Sequence, residues 1–160
     1  MRVSTDDGRF GFILEPVAGD MVRFQIIVDG RSIGDDGPCI IGSAIYQLQR
    51  LKTLDDGRLG CLPDDPVAVS LALRTDEDLH DAATLSLAES LDQWLIHGYI
   101  FNGRVAILAQ EYERGELAGP ILVSVLDKAE YDRIFGILHD YWTTITGHRK
   151  LITIGTEGPL

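Results

Sequence analysis

Hydrophobic positions along the chain change their period several times, and each change marks an element. From Phe10 to Val17 and from Met21 to Asp29 two short apolar runs flank Ala18-Gly19-Asp20, the pattern of a hairpin. In the second run Val22, Phe24, Ile26 and Val28 alternate with Arg23 and Gln25, which puts one face on a core and one toward water. Asp29-Gly30 then turns the chain into a third short strand, Arg31 to Ile33, because Asp tolerates and Gly favours the positive φ that a tight hairpin turn needs. After Gly37-Pro38 the period lengthens. Ile40, Ile41, Ala44, Ile45, Leu48 and Leu51 form one helical stripe, with Gln47, Gln49, Arg50 and Lys52 on the wet side and Asp55-Asp56-Gly57 as the stop.

Residues 58–66 read as loop around Pro63-Asp64-Asp65-Pro66. Val67, Val69, Leu71 and Leu73 alternate with smaller residues, which predicts a strand closed by Asp76-Glu77-Asp78. The stretch 78–97 fits two periods. Leu79, Ala82 and Ala83 suit a helix, whereas Leu85, Leu87 and Leu91 permit extended chain, and the expectation here is a strand or an irregular passage. Tyr99 to Phe101, Asn102-Gly103 and Arg104 to Tyr112 make another hairpin, with Val105, Ile107 and Ala109 on one face. Residues 113–120 read as loop, and Ile121, Val123 and Val125 as a further strand. Asp127 and Glu130 are spaced as a capping box for a helix with the stripe Tyr131, Ile134, Phe135, Leu138, Trp142 and Ile145. Gly147 ends that helix; Leu151 to Ile154 reads as a last strand or a frayed end, in a tail 146–160 expected to be loosely ordered.

Strands grouped in hairpins with two principal helices predict an α+β fold: a mainly antiparallel sheet with the helices packed on it. Too few helices separate the strands for parallel crossovers. At 160 residues the expectation is a single domain over 1–160.

Composition narrows the function classes. The 45% apolar and 24% charged content with a mean hydropathy of +0.06 belongs to folded rather than disordered chains. Twenty-five acidic against 14 basic residues give a formal charge of −11, which argues against a generic nucleic-acid face, since that needs clustered Lys and Arg. The N-terminus, Met1 to Asp7, carries no apolar signal segment, and no run approaches the roughly 18 apolar residues of a membrane span, so the expectation is a cytosolic chain with no membrane partner. Cys39 and Cys61 lack CxxC spacing and read as reduced, partly buried thiols rather than a disulfide.

Catalytic signatures are missing: the chain has neither GxGxxG nor GxxxxGK[ST] nor GxSxG. His80, His97, His139 and His148 include no pair at the i, i+4 spacing of helical metal ligands, and Asp78, His80 and Asp81 read as a solvated turn. No catalytic residue, cofactor or metal is therefore assigned. Between Arg74 and Arg104 the chain has no Lys or Arg, yet Asp76, Glu77, Asp78, Asp81, Glu89 and Asp92 fall there together with Trp94. Gathered on one side, they would form a negative patch with an aromatic anchor, suited to steering a basic protein partner; scattered, they are a plain solvated face and Trp94 a core residue. Trp142, on the apolar stripe, reads as core.

The order of several of these pieces carries a resemblance. It rests on the opening hairpin with Phe12 and Glu15, the strand Phe24 to Val28 leading into Asp29-Gly30, and Ile33-Gly34 followed by a helix bearing Leu48 and Leu51. Glu89-Ser90-Leu91-Asp92-Gln93-Trp94 and the closing strand and helix from Val123 to Tyr141 complete it. In this order the chain resembles the immunity proteins of bacterial polymorphic toxin systems, most nearly the family numbered forty-two. The match spans most of residues 10–142, and the tail from Thr143 has no counterpart in it. The resemblance implies a non-enzymatic cytosolic inhibitor that binds and blocks a cognate toxin, often a nuclease; dimerisation stays open. Two other readings stand beside it: a small-ligand or enzymatic domain with a pocket near Trp94 and His97, and a subunit of a larger assembly.

Overall fold

The computed structural model describes residues 1–53 and 65–147. The expectations for the loop 58–64, for Cys61, for His148 and for the tail beyond Gly147 lie outside these residues. Among the described residues eight strands and four helices follow in the order β1 (Arg2–Ser4), β2 (Phe10–Ala18), β3 (Met21–Val28), β4 (Arg31–Ile33), β5 (Pro38–Cys39), α1 (Gly42–Thr53), α2 (Pro66–Thr75), α3 (Glu77–Ala83), β6 (Trp94–Phe101), β7 (Arg104–Glu113), β8 (Glu116–Asp127) and α4 (Lys128–Thr146). A 3₁₀ turn, Glu89–Leu91, precedes β6. The fold is α+β and every strand pairing is antiparallel. Its strands form two sheets rather than one. The first runs β1-β2-β3-β4, with β5 also paired to β3, and the second runs β6-β7-β8.

The hairpin turns are those the sequence predicts. Asp29 and Gly30 have φ of 51° and 76°, Asn102 and Gly103 49° and 71°, so both residues of each turn lie on the left-handed side, as the twist of an antiparallel pair prefers. Arg114-Gly115 makes a third such turn. The stretch 113–120 is therefore not a loop: β7 and β8 continue through it to the pair Glu113 and Glu116, with a bulge between Ala109 and Glu111.

The main core lies between the first sheet, α1, α4 and one face of the second sheet. Phe10, Phe12 and Leu14 of β2 and Phe24 and Ile26 of β3 present the buried side of the alternation, against Leu48 and Leu51 of α1 and Tyr131, Phe135 and Leu138 of α4. Each such aromatic or aliphatic side chain contributes about 1.5 to 3 kcal/mol by leaving water. The α1 stripe holds except at Ile40, which precedes the helix and is 65% exposed. The rings of Phe10 and Phe12 meet edge to face at 5.3 Å, and those of Phe12 and Phe24 stack at 6.2 Å. Three buried hydroxyls tie the layers together. Ser124 of β8 accepts from the Asp29 amide (2.8 Å) and donates to the Arg9 carbonyl (2.9 Å); Ser90 donates to the Phe24 carbonyl (2.8 Å); Tyr131 donates to the Leu48 carbonyl (2.9 Å). Burial holds the Tyr131 phenol neutral by raising its pKa.

Two expectations fail here. The segment 67–73 is not a strand but the middle of α2. Asp65 caps that helix by accepting from the Val67 amide (3.0 Å), and Pro66 occupies its first turn, where a missing N–H costs nothing. Val69 and Leu73, four residues apart, are its buried pair, while Val67 and Leu71 are exposed. The period of two was an accident of alternating Val, Ala and Leu. At the other helix, Asp127 stands at the N-cap position of α4 but makes no capping bond; its side chain turns to Arg104, its partner across the ladder, at 3.9 Å. No helix among the described residues is long and apolar enough to cross a membrane.

Gly11 of β2 lies opposite Ser4 of β1, and a Cβ there would lie 2.2 Å from the Val3 carbonyl oxygen and 2.7 Å from the Ser4 Cα. Both obstacles are backbone and cannot swing away. Gly11→Ala is expected to break the β1 pairing and to cost about 2 to 3 kcal/mol, read as a lower denaturation midpoint in urea with an unchanged slope.

Candidate functional site

The acidic stretch is built on one joint. Asp76 ends α2, its amide donating to the Ala72 carbonyl (3.2 Å), and starts α3, its carboxylate accepting from the Leu79 amide (3.1 Å). Glu77 and Asp78 occupy the first turn of α3, where the positive end of the helix dipole favours them. The 78–97 stretch is thus a helix first and extended chain afterwards. Thr84 bridges to His97 on the edge of β6, and the Leu85 amide donates to the Ile96 carbonyl (2.9 Å). Beyond this the chain alternates, with Leu85, Leu87 and Leu91 buried and Ser86, Glu89 and Asp92 exposed.

That alternation carves an open groove of about 450 Å³ between α3, the segment 84–92, the start of β6 and the far end of β7. Glu89, Asp92 and Trp94 line it, with His80, Thr84, Ser86 and Tyr112. Of the seven residues singled out in the sequence, these three meet at one site. Asp76, Glu77, Asp78 and Asp81 do not line the groove; all four are exposed on and before α3, the helix that contributes His80 to it. Neither Glu89 nor Asp92 makes an ion pair or a side-chain hydrogen bond among the described residues. Trp94 is half-buried rather than a core residue. It also lines a second, smaller recess of about 210 Å³ with Glu111 and Arg31, whose guanidinium lies 5.3 Å from its ring centre and 3.7 Å from the Glu111 carboxylate. Sequence reasoning missed Tyr112, Ser86 and Arg31. Their signals are slight: an aromatic at an outward strand position, and a serine alternating with buried leucines.

His97 is not a groove residue. On β6 it points with Tyr99 and Phe101 to the α2–α3 side of the sheet, 1% exposed, and its ring meets that of His80 edge to face at 5.5 Å. Its Nε2 has no hydrogen-bond partner among the described residues. Burial, then the His80 ring and Arg74, push its pKa down to about 4. A pocket does lie beside Trp94, but His97 is not part of its lining. His139 is half-buried on α4 between the rings of Phe135 (6.0 Å) and Trp142 (6.1 Å). Cys39 is a free, buried thiol, 3.8 Å from the Ser90 hydroxyl. No group of three or more His, Cys, Asp or Glu among the described residues is placed to hold a metal ion.

No family model and no curated protein sequence matches the chain, so the resemblance to family forty-two gains no support from a family model. A solved structure does match in shape: the crystal structure of CdiI from Burkholderia dolosa AUO158, with a TM-score of 0.58 over 86% of this chain and 98% of that one, at 15% identity. At that identity the likeness is one of fold.

The buried His97 makes stability depend on pH. The unfolded chain takes up a proton near pH 6.5, whereas the folded chain resists it until about pH 4. Stability is therefore full above pH 6.5 and falls as the pH drops toward 4, by about 3 kcal/mol at 1.4 kcal/mol per pKa unit. Urea titrations across this range should show that loss, and His97→Phe should remove this part of the slope.

Proposed function

We propose that the chain is a non-enzymatic immunity protein, acting in the cytoplasm as a single domain, that binds and neutralises a cognate toxin domain through its acidic surface. The observation that carries this reading is the fold shared with CdiI, an immunity protein of contact-dependent growth inhibition, over nearly the whole of that protein. The resemblance to the immunity proteins of polymorphic toxin systems, with family forty-two as the nearest kind, points the same way on sequence motifs alone. The acidic residues then suggest the toxin's character. A nuclease toxin is basic where it holds phosphates, and exposed carboxylates on α3 and around the groove suit that surface by standing in for the nucleic-acid backbone. The net charge of −11 supports a role for long-range attraction in the encounter.

The test pairs the purified chain with the toxin domain of the neighbouring reading frame. Co-expression should protect cells from the toxin, and the two should form a stoichiometric complex whose association rate drops by about tenfold or more from low to high salt. Reversing two charges together, Glu77→Lys and Asp81→Lys, should slow association with little loss of stability, as both side chains are exposed and the Asp76 cap of α3 is kept. Absence of a complex at either salt would end the immunity reading. A complex with salt-insensitive association would end the charge-led part of it.

A further inference from the structure

We propose that the groove between α3 and β6 is a receptor for an arginine side chain of the partner protein, held against Trp94 and Tyr112 and paired with Glu89 and Asp92. The inference rests on the protein-binding reading above and names the chemistry of its contact. Three observations converge on a guanidinium. The groove has aromatic side chains in its lining, and a planar, weakly hydrated cation stacks on such rings better than an ammonium does. Among the described residues its two carboxylates are unpaired and no Lys or Arg lines it, which suits a cation supplied by the partner.

A guanidinium also brings five N–H donors and no acceptor, which matches carboxylates that only accept. Finally, the chain already contains one example of the contact. On the neighbouring recess Arg31 lies over Trp94 and pairs with Glu111, whereas the groove offers the same Trp94 with Glu89 and Asp92 and, among the described residues, no cation. The two recesses repeat one recognition scheme, with one filled from within the chain.

The probe is a blocked Gly-Gly-Arg-Gly-Gly peptide, titrated into the full chain and followed by NMR; Trp94→Phe identifies the Trp94 indole signal against that of Trp142. The arginine peptide should shift the Trp94 indole and the amides around Ser86, Glu89 and Asp92. The citrulline peptide, equal in shape and neutral, should leave them in place, and the lysine peptide should bind several-fold more weakly. The double variant Glu89→Gln/Asp92→Asn, both exposed, should weaken the arginine peptide by about tenfold. Equal shifts with citrulline, or no shift at these residues up to tens of millimolar peptide, would overturn the proposal.

A second arm separates it from the immunity reading. If the toxin complex forms with unchanged affinity in Glu89→Gln/Asp92→Asn/Trp94→Phe, the groove is not the receptor although the chain is an inhibitor. If the peptide binds as described but no toxin complex forms, the arginine site stands and the immunity reading falls.

Discussion

From Val105 to Ala109 every side chain of β7 is buried, alternately on the two sides of its sheet. A strand in that position can leave neither face to water. Val105, Ile107 and Ala109 face the large core shared with the first sheet, α1 and α4, whereas Ala106 and Leu108 need a second cover. That cover is α2 and α3, set over Tyr99, Ala106 and Leu108 through Val69, Leu73 and Ala83. Most of what is distinctive in the molecule follows from this requirement. The chain must leave α1, lay two short helices across the far face, and return to the near core through Leu85, Leu87 and Leu91 before entering β6. The groove lies where the cover ends and the return begins.

The same requirement places the charges. Carboxylates are costly to bury unless paired, so the acidic residues of 76–92 stand on the outer side of the helical cover and the return segment. His97 is the exception: it lies under α3 and is kept neutral by its surroundings. Gly98 shows how tightly the other face of β6 is packed, since a Cβ there would come within 2.7 Å of Leu85 and 3.0 Å of Leu51.

Local chemistry made the hairpins and two of the helices legible. Asp29-Gly30 and Asn102-Gly103 state their turns outright, and the stripes of α1 and α4 run long enough to leave one reading. The α2–α3 region was not legible because both its elements are short and both faces of its sheet are covered. Leu71 and Leu73 read alike in sequence, yet one is 53% exposed and the other fully buried. Only the position of β6–β8 beneath the helix tells them apart. In the same way Asp127 had the spacing of a cap, but its place opposite Arg104 in the ladder drew its side chain away. For the candidate site, the sequence pointed to Glu89, Asp92 and Trp94, while Tyr112 joined them through strand pairing that no local pattern contains: its amide donates to the Gln93 carbonyl (2.7 Å).

The alternation along 85–92 has an evolutionary consequence. Leu85, Leu87, Ser90 and Leu91 answer to the core, and Ser86, Glu89 and Asp92 answer only to solvent or to whatever enters the groove. Substitutions at the second set leave the packing of the first untouched. A lineage can therefore rewrite the rim of this recess in single steps, each close to neutral for folding, and drift from one binding preference to another while the scaffold beneath keeps its shape.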